Sequence, residues 1–587
     1  MTYDLKITGG QIVDGSGGKP YQADIGITGG VITEIGRLTG PAKREMKADG
    51  AMVTPGFIDA HTHYDGQATW DSDLHPSSRH GVTTAVMGNC GVGFAPLKPG
   101  EQQRLIALMS GVEDIPGPVL HEGMKWNWDT FGEYLDALDG IPHTINIAAQ
   151  VTHGPVRLYA MGDRALSYAP ATADDITAMQ KIVREALLAG AVGFSSGRIS
   201  SHRMVGGGTT PDCDADYHEV VALASTLRDL PYRVLHVATD FDLHLGPKGF
   251  DPEFDLLERM ARAAGRPLSL NLLDRAGSPT QWQDTMRRTA AANAAGLKMR
   301  MQAASRGIGM IMGLSVTLHP FVGHPTYRTI MDLPLPEQVR RMRDPAFRAK
   351  VLAEKPITLC GDDSTLPAFW EDFFANLEKT SDRIFTMSDV PDSEPRPETS
   401  VRAQALAQGL SPLEILYDWV VKEDDGRSFL YFPFYNFTPG NLSAVREMLM
   451  HPNSIMGAGD AGAHVGLICD NAFPTFCMSF WNRDRKAGPL IPAERLVHLM
   501  TGAIAEHFGF TDRGRLAPGL RADVNVFDPA RIQLGPLRVA HDLPAGGRRL
   551  IQDSVGYLAT LVDGISIAEG DALTGARPGK VYRAARA

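Results

Sequence analysis

Cysteine is scarce in this chain: five among 587 residues, at Cys90, Cys213, Cys360, Cys469 and Cys477. An odd number, widely scattered, excludes the disulfide-stapled scaffold of a small secreted protein. Long apolar runs are missing too. No stretch approaches 18 uninterrupted apolar residues, and the opening Met1-Thr-Tyr-Asp-Leu-Lys-Ile has no charged segment leading into an apolar one. These absences lead us to expect a cytoplasmic protein without a membrane partner. Basic blocks are absent as well: 57 Lys and Arg against 68 Asp and Glu leave a net charge of −11. A sequence-independent grip on nucleic acid is therefore not expected.

What is present, 43% apolar and 21% charged residues, is the composition of a folded protein with a large core. The first 50 residues read as short strands cut by glycines at Gly9-Gly10, Gly15 to Gly18 and Gly29-Gly30. The far end repeats that texture in Asp523 to Phe527 and in Val555 to Val562 before the turn pair Asp563-Gly564. Between them, short apolar runs alternate with helical spacing, with candidate strands ending at His61, Cys90, Val151, Ser195, His236, Leu272, Ala304 and Gly459. Eight such runs are the number that closes a barrel. The expected fold is α/β: a (β/α)8 TIM barrel over 55–515, with a small β-sandwich built from both chain ends, 1–54 and 516–587. Residues 361–426 break the rhythm with Pro391, Pro395 and Pro397 and with the aromatic pairs Phe369-Trp370 and Phe373-Phe374. A long loop of this kind is expected to act as a lid.

The strongest chemical signal is Phe57-Ile-Asp-Ala-His61-Thr-His63, an apolar strand running into two imidazoles one residue apart. Positions i and i+2 of a strand share a face, so both rings can serve one divalent metal such as zinc. Cys90 brings a thiol to the end of the second strand, and His236, Asp460 and His464 lie at or just past later strand ends. Barrel enzymes gather their chemistry at that rim.

Five segments, Pro55-Gly-Phe-Ile-Asp-Ala-His-Thr-His-Tyr-Asp65, Gly81-Val-Thr-Thr with Gly88-Asn-Cys-Gly91, Gly190 to Ser196, Gly459-Asp-Ala-Gly462 and Leu516 to Asp528, together resemble the amidohydrolase superfamily. Within it the resemblance is to the D-aminoacylase (N-acyl-D-amino-acid deacylase) branch. It implies His61, His63, Cys90 and His236 as metal ligands, Asp460 as the catalytic carboxylate and His464 as a supporting group. On the sixth strand this chain has Asn271 where the branch has a histidine, so one well-held zinc is expected rather than a complete pair. The implied reaction is hydrolysis of a C–N amide bond, in an N-acyl-(D-)amino acid or a related small N-acyl amide.

A substrate carboxylate would call for a guanidinium, and Arg198 and Arg306, at predicted strand ends, are the candidates. The segment after Ser196, Gly197-Arg-Ile-Ser-Ser-His-Arg, departs from the Gly-Leu-x-Tyr pattern of the smaller D-aminoacylases, which keeps a cyclic amide or a carbamate open as substrate. A non-catalytic binding protein with a degenerate metal site is the alternative of another class. Homo-oligomer formation is left open.

Overall fold

The apolar runs form eight parallel strands, numbered here in chain order: β1 Phe57–Asp59, β2 Val82–Met87, β3 Asn146–Thr152, β4 Gly193–Arg198, β5 Val234–Thr239, β6 Leu268–Leu272, β7 Met299–Ala303 and β8 Ser454–Met456. The computed structural model describes residues 2–241, 243–360, 366 and 370–585. Each strand pairs in parallel with the next in chain order, β7 with β8 across a long excursion. A single bridge between Thr62 and Ala461, just beyond the ends of β1 and β8, brings the sheet near to closure.

Local sequence explains the connections. Helix Ala173–Ala189, between β3 and β4, opens on a reciprocal cap in which the Thr172 hydroxyl and the Asp175 carboxylate each accept the other's backbone N–H. Met179, Val183, Ala186 and Leu187 turn inward, and Gly190, at φ 124°, ends the helix. Their burial against the barrel supplies most of the helix's stability.

Both chain ends join one mixed sheet outside the barrel. Tyr3–Ile12 lies between Tyr21–Thr28 and Met52–Pro55, and Met52–Pro55 pairs with Val524–Phe527 from the other end of the chain. Ile7, Ile12, Ile25, Val53, Val524 and Leu561 pack in its core.

The excursion between β7 and β8 has a core of its own, which includes Met310, Phe321, Leu416, Tyr417 and Phe432. It carries a three-stranded sheet, Ile308–Met312, Leu430–Tyr435 and Phe385–Thr386, so this unit extends past 361–426 in both directions. Gly361 and Phe369 lie outside the described residues. Trp370 stands edge-on to Phe373 and Phe434, at centroid distances of 5.5 and 5.3 Å.

The β2–β3 connection starts with a tight turn in which Cys90 has φ 54° and Gly91 φ 74°. A Cβ at residue 91 would lie 2.1 Å from Asp212 Oδ2 and 2.4 Å from the Gly197 nitrogen. Gly91→Ala is accordingly expected to destabilise the fold by more than about 1 kcal/mol, read as a lowered midpoint in thermal unfolding.

Candidate active site

The barrel rim gathers His61, His63 and Cys90 so that one ligand atom from each lies within 4.8 Å of the others, all three residues buried. His61 follows β1 directly, and its Nδ1 stands 2.7 Å from Gln302 Oε1 on β7. An amide oxygen can only accept, so Nδ1 carries the proton and Nε2 presents its lone pair. That Nε2 is 3.3 Å from Cys90 Sγ and 3.3 Å from Asp460 Oδ1. His63 turns its Nε2 toward the same carboxylate, at 3.8 Å, and its Nδ1 toward Glu113 Oε1, at 3.3 Å.

His236, on β5, crosses the His61 ring at a right angle with centroids 5.1 Å apart. Its Nδ1 is 3.1 Å from the Ser269 hydroxyl, while its Nε2 is buried with no hydrogen-bond partner. It stands beside the three-residue group rather than within it. Asp460 occupies the turn after β8 at φ 48°, and His464, at φ 49°, places its Nε2 3.5 Å from Glu113 Oε2.

Burial governs the electrostatics. It drives the His63 and His236 imidazoles well below their ordinary range, leaving both neutral, the state that binds a metal. It pushes the Cys90 thiol and the Glu113 carboxyl well up, in each case with neighbouring carboxylates adding to the effect. Two buried imidazoles and a buried thiol this close match the nitrogen and sulfur donors that zinc takes, and a cation among them would draw the proton off the sulfur. The residues present therefore fit a divalent ion.

His61, His63, Cys90, Glu113, Asp460 and His464 line a cavity of about 340 Å³. Its polar end also holds His202, Asp240 and Arg275, and its apolar wall includes Leu318, Leu467, Trp370 and Phe434. Arg275 donates from Nη1 to Gln281 Oε1 and from Nη2 to the Thr239 carbonyl, lies over the Tyr435 ring, and has a buried Nε without a hydrogen-bond partner.

The two arginines read from the sequence sit elsewhere. Arg198 makes a two-pronged pair with Glu253, at 2.6 and 3.2 Å, and donates to the Ala215 carbonyl. Arg306 pairs with Asp470 at 3.2 Å, stacks on Phe476 and lines a different cavity of about 600 Å³. Neither lines the cavity at the His61 group, because each guanidinium has found a carboxylate on its own side of the rim.

Asn271 borders the cavity, but its amide is committed to the backbone: Oδ1 accepts from Thr239 N at 2.8 Å and Nδ2 donates to Thr239 O at 2.9 Å. It clamps β6 to the end of β5. Sequence reasoning missed Glu113, Gln302 and Arg275. Of these only Gln302 carried a signal, as a polar residue near the end of a candidate strand.

A model of the amidohydrolase family matches residues 44–568, and the chain belongs to that family. It is 25% identical over 585 residues to an N-acyl-D-aspartate deacylase of Alcaligenes xylosoxydans xylosoxydans, covering 98% of this chain and 94% of that one. A D-aminoacylase of the same organism is 36% identical over 196 residues, 33% of this chain and 38% of its own. Among solved structures, the N-acyl-D-glutamate deacylase of Bordetella bronchiseptica, complexed with zinc and a phosphonate inhibitor that mimics the tetrahedral intermediate, superimposes with a TM-score of 0.63. That likeness is at 25% identity and covers 99% of this chain and 100% of the other. The chain is thus an amidohydrolase homologous to the D-aminoacylases, with a His61, His63 and Cys90 group able to hold a metal.

Replacing Asn271 by Leu strips the Thr239 N–H of its partner. A loss of about 1–3 kcal/mol is expected, measured by chemical denaturation, with metal content per chain unchanged.

Proposed function

We propose that this protein hydrolyses the amide bond of small N-acyl amino acids, with zinc held by His61, His63 and Cys90, His236 beside them, and Asp460 as general base and then general acid. The observation that carries the reading is the position of Asp460: Oδ1 lies 3.3 Å from His61 Nε2, in the cavity that Cys90 also lines. A divalent ion bound there would bring the pKa of a water toward neutrality and polarise an amide carbonyl.

The chain's own groups account for the remaining roles. Asp460, with 19% of its side chain exposed, is open to water from the cavity. It can take the proton from an attacking water and pass it to the departing nitrogen, one carboxylate serving two successive transfers. Arg275, which belongs to the cavity lining, is the anchor for the substrate's carboxylate, in place of Arg198 and Arg306. Trp370, Phe434, Leu318 and Leu467 form a wall suited to an apolar acyl group or side chain. The 308–435 segment, which supplies three of these four residues, is the roof of the site. The activities of the relatives, N-acyl-D-aspartate and N-acyl-D-glutamate deacylation, favour a linear amide over a cyclic one.

Asp460→Asn is expected to lower kcat by about 100- to 10,000-fold while zinc per chain, by elemental analysis, stays at the wild-type value. Arg275→Met is expected to raise KM by about 10- to 100-fold, the equivalent of one charge-assisted contact, for N-acyl amino acids. Their methyl esters should show no such change. Faster turnover of a hydantoin or an aryl carbamate than of N-acetyl-D-methionine would overturn the substrate assignment.

A further inference from the structure

We infer that Glu113 is a positioning residue: it holds His63 and the loop carrying Asp460 in register, and thereby sets how tightly the His61, His63 and Cys90 group retains a divalent cation. The inference rests on the metal-dependent reading above.

Glu113 is the last residue of helix Gln102–Glu113, which stops because Asp114 turns left-handed at φ 50°. Its side chain is 1% exposed. Each carboxylate oxygen faces an imidazole, Oε1 toward His63 Nδ1 at 3.3 Å and Oε2 toward His464 Nε2 at 3.5 Å. One imidazole belongs to the end of β1 and the other to the loop past β8, so a single carboxylate spans the seam where the barrel closes. The backbone makes the same connection. The Glu113 carbonyl accepts from the His464 N–H, and Asp114 Oδ2 accepts from the Gly466 N–H at 3.2 Å.

Both imidazoles that follow the first strand have an oxygen behind them, hydrogen-bonded for His61 and in close polar contact short of a hydrogen bond for His63. Gln302 Oε1 stands at Nδ1 of His61, and Glu113 Oε1 stands at Nδ1 of His63. An acceptor at Nδ1 keeps the proton there and leaves the Nε2 lone pair facing Cys90 and Asp460, which is how a carboxylate behind a histidine serves a metal. A buried acid that only braced the loop would need one partner; this one addresses two rings from opposite sides of the seam. Glu113 touches no reacting atom on this account.

The test uses the full chain as wild type, Glu113→Gln and Glu113→Ala, stripped of metal. Each is titrated with zinc against a chromophoric chelator, and separately with cobalt(II) while its visible spectrum is recorded; metal-free thermal unfolding is run in parallel. Glu113→Ala is expected to weaken zinc binding roughly 10- to 100-fold and to alter the cobalt bands, and Glu113→Gln, which keeps an acceptor oxygen, to weaken it at least about threefold. Should Glu113→Ala fail to fold, the near-isosteric Glu113→Gln decides alone. Zinc affinity of Glu113→Gln within less than about threefold of wild type, with an unchanged cobalt spectrum, overturns the inference while leaving the metal reading intact. A wild-type chain that binds neither ion overturns both.

Discussion

Everything at this site depends on keeping unlike donors apart from water and close to one another. Two imidazole nitrogens and a thiol lie within 4.8 Å in a buried pocket, and two carboxylates, Asp460 and Glu113, stand against the same rings. A buried acid such as Glu113 would be costly in the absence of compensating charge. A cation held by this group would resolve the conflict, giving the lone pairs a destination and offsetting the negative charge behind them. The hydrogen bonds that look incomplete, at His236 Nε2 and His63 Nδ1, belong to the same arrangement.

Much of this was legible in the chain. Apolar runs alternating with helical spacing disclose the barrel because a parallel strand buried on both faces is mostly apolar; β2 and β3 are buried along their whole length, with Thr83, Thr84, Asn146 and Gln150 among the polar exceptions. The paired histidines and Cys90 could be read because each closes an apolar run. The meeting of both chain ends in one sheet was visible in the matched glycine-punctuated texture of 1–54 and 516–587.

What stayed hidden had no local periodicity to announce it. Glu113 ends an ordinary helix, and only the path of the chain brings it behind His63. Arg275 follows the sixth strand by three residues, with nothing to separate it from Arg198 or Arg306 until their partners are known. Those two guanidiniums are neutralised by Glu253 and Asp470, carboxylates far off in sequence in each case. A sequence reveals which side chains can do chemistry more readily than which are already spent.

Much of the segment from Ile308 to Tyr435 packs around an apolar centre of its own, while Ile311, Val316, Phe385, Phe429 and Tyr431 join that of the barrel, and it lends Leu318, Trp370 and Phe434 to the cavity wall. The His61, His63 and Cys90 group and this part of the cavity wall are consequently anchored in largely different packing clusters. Such a division would let the wall be recut by exchanges within that segment while the metal-ligand group at the barrel rim keeps its supports.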